Sequence, residues 1–306
     1  MMIDFKRLEL DSKAQYDKYL MNCGERGCEY SFVNLFLWGR QKAAIVDDFL
    51  VLQSQFDRRS VYPFPVGRGD VRPVLDAIIH DARARGIPCC LTSLTAAECE
   101  LVERLYPGQF RFHCNRDNFD YVYDINGLAD LKGRKYQKKR NHLHRFHDAH
   151  PDCEFLPIEE VSPEALERLL AQWYESHRAA NPGINYHMEE VAIGRALRFR
   201  EALGLEGLAL VENGQLLAVT LGSRLREDTF DIHFEKAIEE AAYAAINQGF
   251  ARYLRDKYPE LRFLDREDDM GLEGLRKAKL SYNPDRMIEK CWARLWEEED
   301  EHHDAH

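Results

Sequence analysis

The same order of local signals runs twice along this chain, once on each side of a strongly basic stretch from Leu131 to Phe146. Each half reads strand, two helices, hairpin, strand, helix, strand, helix, strand. With 306 residues the chain suits two cores of about 140 to 150 residues. Two α+β units are expected, each with a mixed, mostly antiparallel sheet flanked by helices.

Local chemistry carries this reading. In the first half Ser31 to Trp38 reads as a short helix. Ala43 to Phe56 is rich in β-formers and breaks at Asp47-Asp48, as a hairpin does. A helix from Val71 to Arg85 stops at Gly86, and Thr95 with Glu98 forms a capping box for the next one. Two more strands, Phe110 to Asp124, surround Asn115 to Asn118. In the second half Ser162-Pro163 opens a helix, and Asn213-Gly214 between two β-rich runs is the strongest hairpin signal. Met287 to Trp296 reads as the last strand.

Composition narrows the class. With 45% hydrophobic and 31% charged residues this is an ordinary globular sequence. No apolar run approaches the 20 or so residues of a membrane span, and no cleavable leader pattern opens the chain, so the protein is expected to stay in the cytoplasm. Eight cysteines without CxxC pairing point to small core residues in a reducing compartment and to no metal site. An acidic pI near 5.6 argues against a general DNA binder.

Against that background the basic stretch stands out. Between Leu131 and Asp148 lie seven positive formal charges and one negative, in a chain whose total is −11. Read as one helix, it sets Lys132, Lys135, Lys139 and Arg140 beside Tyr136 and Asn141, while Tyr136, Leu143 and Phe146 recur at helical spacing and bury one edge. Such a helix attracts phosphates. The plain alternative is a solvated helix balanced by acidic neighbours. A second motif runs from Leu264 to Pro284. Asp265, Glu267, Asp268 and Asp269 gather before a helix start, and Arg276, Lys277, Lys279 and Tyr282 follow. On the strand Thr229 to Glu235, simple alternation puts Asp231, His233 and Glu235 on one face, able to hold an amine and take its proton.

Together LKGRKYQKKRNHLHRF and LDREDDMGLEGLRKAKLSYNP resemble bacterial proteins similar to the C-terminal domain of phosphatidylglycerol lysyltransferases, and more distantly Fem-type aminoacyltransferases. The resemblance implies two tandem GNAT-type domains, at 1–128 and 151–298, a basic linker helix at 129–150 and an acidic tail at 299–306. It further implies that the fourth and fifth strands of the second domain part to receive an acyl donor, whose phosphates meet the helix that follows. Asp231, His233, Glu235, Asp265 and Glu267 would then be catalytic. Lys132, Lys135, Tyr136, Lys139, Arg140, Asn141, Lys277, Lys279 and Tyr282 would bind substrate or phosphate.

CoA-dependent members of the fold carry a glycine-rich turn after the fourth strand. Here Lys236-Ala-Ile-Glu-Glu-Ala lacks the glycines, so no cofactor is expected. Gly67-Arg68-Gly69 is a partial match in the first half, leaving Gly67 and Gly69 as an anion site or a plain tight turn. The leading expectation is transfer of a lysyl- or alanyl-type group, from aminoacyl-tRNA or another phosphate-bearing donor, to an unidentified acceptor. A CoA-dependent N-acetyltransferase and a catalytically inactive binding module are the alternatives.

Overall fold

The computed structural model describes residues 2–56 and 59–296, which form two compact units. Of these residues, those up to 119 and those from 288 to 296 make one unit, and residues 120–287 the other. The expected acidic tail lies outside the described residues.

The first unit runs β1 (Lys6–Arg7), α1 (Lys13–Leu20), α2 (Phe32–Trp38), β2 (Lys42–Val46), β3 (Phe49–Phe56), β4 (Arg59–Pro63), β5 (Val66–Gly67), α3 (Arg72–Arg85), β6 (Cys90–Leu94), α4 (Ala96–Leu105) and β7 (Phe110–Cys114). Capping follows the sequence closely. Ser31 Oγ accepts from the Asn34 amide, Thr95 and Glu98 close their capping box, and Gly86 ends α3 in the left-handed region. Asp47 and Asp48, both at positive φ, turn β2 into β3. Between β6 and β7 sits a strand from the far end of the chain, Cys291–Leu295, antiparallel to both. Cys291 lies opposite Cys114 and the two form a disulfide. The expectation of core cysteines overlooked this pair, since 177 residues separate them.

The second unit contains β8 (Asp120–Asp124), α5 (Ile125–Asp130), α6 (Gln137–Ala149), β9 (Glu154–Pro157), α7 (Pro163–Ala180), α8 (His187–Arg198), α9 (Arg200–Leu203), β10 (Glu206–Glu212), β11 (Gln215–Arg224), β12 (Thr229–Ala237), α10 (Glu240–Lys257), β13 (Phe263–Asp265) and α11 (Glu273–Leu280). Its sheet runs β8, β13, β12, β11, β10, β9, with β14 (Arg286–Ile288) beside β8. Only β12 and β13 are described as parallel within it. Asn213 and Gly214, at φ 51° and 77°, make the tight β10–β11 turn. Phe230, Ile232, Leu208 and Leu210 meet Ala242, Ile246 and Phe250 of α10 in the main core.

Three expectations change here. The boundary falls at 119/120, because β8 pairs with β13 and belongs to the second unit. The last strand is two, β14 and β15 (Cys291–Leu295), and β15 joins the first unit's sheet. The basic helix starts only at Gln137, because Leu131 and Gly133 at positive φ break the chain after α5. No described helix is long and apolar enough to cross a membrane.

Candidate functional site

The strands β12 and β13 pair over three residues, from Thr229 opposite Phe263 to Asp231 opposite Asp265. There β13 ends while β12 continues to Ala237, so the sheet opens beyond Asp231. The other edge of β12 explains which side chains reach the opening. Leu221 lies opposite Phe234 but Gly222 lies opposite Ile232, which leaves His233 as the extra residue of a β-bulge. A Cβ on Gly222 would sit 2.3 Å from the Asp231 carbonyl oxygen and 2.6 Å from the Phe230 ring, so the bulge needs glycine there.

Because the bulge shifts the alternation, Glu235 does not share the surroundings of Asp231 and His233. Glu235 Oε2 accepts from Asn247 Nδ2 of α10 at 3.4 Å. Lys236 turns the other way, pairing with Glu189 of α8 at 2.7 Å and lying 3.6 Å from the Trp173 ring centroid of α7. The expected single acidic face is thus divided into two clusters.

On the α10 side, Arg266 Nη2 donates to Glu235 Oε1 at 2.7 Å. Thr220 is the cross-strand neighbour of Glu235. Lys139 of α6 places Nζ 3.6 Å from the Tyr282 ring centroid, and the Arg266 guanidinium stands 5.1 Å from the same ring. Burial, reinforced by the charge of Arg266, pushes the Lys139 ammonium down to about 8, against the pull of Glu240 and Glu235. Around Glu235, three buried atoms have no hydrogen-bond partner among the described residues: Arg266 Nη1, Asn247 Oδ1 and Thr220 Oγ1. Buried polar atoms of this kind are normally satisfied by ordered water or by a bound group.

On the other side, Ser223 Oγ lies 2.8 Å from His233 Nε2. His233 Nδ1 faces Glu267 Oε1 at 3.3 Å and Asp231 Oδ2 at 3.4 Å. Glu267, at φ 56°, is held by its amide donating to Asp265 Oδ1 at 2.9 Å. Asp265 itself is fully buried.

The remaining expected site residues divide by what they touch. Lys279 is buried and its Nζ donates to the backbone carbonyls of Arg266, Glu267 and Asp268, so it shapes the loop after β13 instead of meeting solvent phosphates. Arg140 donates to the Leu131 and Gly133 carbonyls at 2.5 and 2.7 Å, fastening the turn before α6. Asn141 accepts from Gln137, Lys132 pairs with Asp130 at 2.9 Å, and Tyr136 is buried. Lys135 lines an open cavity of about 610 Å³ with Asp124, Asn126 and Asn283. Lys277 is exposed on α11. Gly67 is a strand residue whose Cβ would lie 2.3 Å from the Asp48 carbonyl oxygen, so packing accounts for it; Gly69, at φ 111°, is open. At the start of α10, His150 is held between Glu212 at 2.7 Å and Glu239 at 2.9 Å.

Sequence reasoning passed over Arg266, Asn247 and Thr220. Arg266 did carry a signal, as the one cation inside Leu264-Asp-Arg-Glu-Asp-Asp. Asn247 and Thr220 carried none, because partners 12 and 15 residues from Glu235 meet it only through the fold.

Residues 21–294 match the family described as "Phosphatidylglycerol lysyltransferase, C-terminal". The chain belongs to that family. A conserved protein of unknown function from Bacteroides thetaiotaomicron is 37% identical, with TM-score 0.88 over 96% of this chain and all of that one. L-PGS from Bacillus licheniformis is 14% identical, with TM-score 0.65 over 95% and 93% of the two chains. A tandem GNAT protein from the clavulanic acid biosynthesis pathway is 11% identical, with TM-score 0.52 over 96% and 99%. The chain has a tandem GNAT-like fold. It spans 64% of the length of the curated relative it matches.

Proposed function

We propose that this chain is a transferase that moves an aminoacyl group of lysyl or alanyl type from a phosphate-bearing donor, such as aminoacyl-tRNA, to an acceptor hydroxyl or amine. One observation carries the reading. The sheet opens beyond Asp231, and Glu235, Arg266, Lys139 and Tyr282 gather on one side of the opening.

In this reading the α-ammonium of the acyl group lies against Glu235 and Asn247 Oδ1, and the ester carbonyl takes the free Arg266 Nη1. Arginine stays charged at any working pH and suits that second role. The acceptor heteroatom attacks the carbonyl carbon, and its proton passes to the neutral amine of Lys139. Collapse of the tetrahedral intermediate breaks the bond to the donor oxygen, which receives that proton. A lysine held near 8 suits such shuttling. His233, across β12, is left out of this proton path. The exposed cations Lys135, Lys138 and Arg145 would meet donor phosphates.

The test offers the protein charged tRNAs and acyl-CoAs in parallel and follows which donor loses its acyl group. Stripping of an aminoacyl-tRNA supports the reading, and turnover of acyl-CoA alone refutes it.

A further inference from the structure

The cluster across β12 from the proposed transfer site makes a different kind of sense. The ligand-type atoms of Asp231, His233 and Glu267 all lie within 4.8 Å of one another. Their side chains are 0%, 2% and 21% exposed, so two are sealed and the third forms the rim.

Nδ1 of His233 must share something with two carboxylate oxygens, at 3.3 and 3.4 Å. A proton on Nδ1 would draw one of them in, since charge-assisted N–H···O bonds settle at about 2.7–2.9 Å. Both distances are longer than that. They match instead the spacing of neighbouring donors around a first-row metal ion, which at bond lengths of about 2.0–2.2 Å in a tetrahedral site is roughly 3.4 Å.

The outer contacts agree. Ser223 Oγ at 2.8 Å from Nε2 can take the Nε2 proton, which directs the Nδ1 lone pair at the carboxylates. Glu267 is set in place by its strained backbone at φ 56°, its amide bond to Asp265 and the Lys279 ammonium on its carbonyl at 3.1 Å.

We propose that Asp231, His233 and Glu267 bind one divalent first-row transition-metal ion, of the zinc or manganese class, with the fourth position open on the Glu267 side. Two ligands belong to β12 and the third follows β13 by two residues, so the ion ties the strands together where they part. Imidazole nitrogen with two carboxylates suits these metals better than calcium or copper(I). The ion would act as a staple at the fork, apart from the proton path of transfer.

The experiment uses the full chain, stripped with chelator and then titrated with Zn²⁺ or Mn²⁺ alone. Calorimetry and elemental analysis should show one ion per chain, with a rise in Tm. Glu267→Gln and His233→Ala should each weaken binding at least tenfold, and Ser223→Ala about tenfold. If His233→Ala fails to fold, Glu267→Gln at the rim still decides the matter. No stoichiometric uptake by the wild type overturns the proposal, as does equal uptake by Glu267→Gln, which would place the ion on other histidines. No acyl donor enters the measurement, so its failure is separate from failure of the transfer reading.

Discussion

Glu235 and His233 are two residues apart on one strand, and simple alternation gives them one face. The structure separates them because His233 is itself the extra residue of the bulge. Both lie on the strand that the sequence predicts; the bulge is hidden from sequence reasoning, because only the pairing of Gly222 with Ile232 reveals it. Lys139 is one of many cations in the basic stretch, and its desolvation above Tyr282 is a tertiary effect that no spacing encodes. The pH dependence follows. If neutral Lys139 accepts the acceptor's proton, the transfer rate should climb as pH rises through about 8 and level off above it. Lys139→Arg should lose that limb together with most of the activity, as a stopped-flow pH profile would show.

A second pH effect concerns Asp269. Burial alone would raise its carboxyl, but bonds from Arg276 at 2.8 and 2.9 Å, Tyr121 at 2.5 Å and the Gly271 amide hold it down to about 2. A depressed carboxylate contributes stability that is fully present above its unfolded value near 3.8 and is lost as pH falls through the folded value near 2. Asp269→Asn should therefore cost about 2 kcal/mol at neutral pH and flatten the acid limb of denaturant midpoints between about pH 4 and 2.

At the scale of elements, local chemistry placed most helices and turns within a few residues. Thr95 with Glu98, Gly86 and Asn213-Gly214 each act where their types require it. The basic helix is shorter than its run of charges suggests, because the charges are continuous while the backbone is not. Leu131 at φ 48° and Gly133 at φ 89° interrupt it, and Arg140 spends its guanidinium on that interruption. A different glycine supports the site itself. Gly222→Ala would force the bulge apart against the Asp231 carbonyl, which is backbone and cannot swing away. Its expected cost is about 2 kcal/mol or more, seen as a Tm lower by roughly 5 °C or more. Transfer should fall with it, since Glu235 would lose its direction.

For the whole molecule, the tandem order of elements was legible and the partition of the chain was not. Nothing in the letters of β15 says that it pairs with β6 and β7, nor in those of β8 that it pairs with β13. Long-range pairing is decided by what each sheet edge lacks. The second unit is one continuous segment, residues 120–287, and should fold when expressed alone. A fragment of residues 151–298 lacks β8 and α6 and should show a poorly dispersed NMR spectrum; equal dispersion for the two would speak against the partition.

The claim on which the functional account rests is that acyl transfer happens beside Glu235, Arg266 and Lys139. Single-turnover loss of the aminoacyl group from charged tRNA, followed in the wild type and in Lys139→Met at matched Tm, tests it most directly. The account predicts a drop of about 100-fold or more in the rate for Lys139→Met, with donor binding retained through the exposed cations of α6. A variant that transfers as fast as the wild type would contradict it.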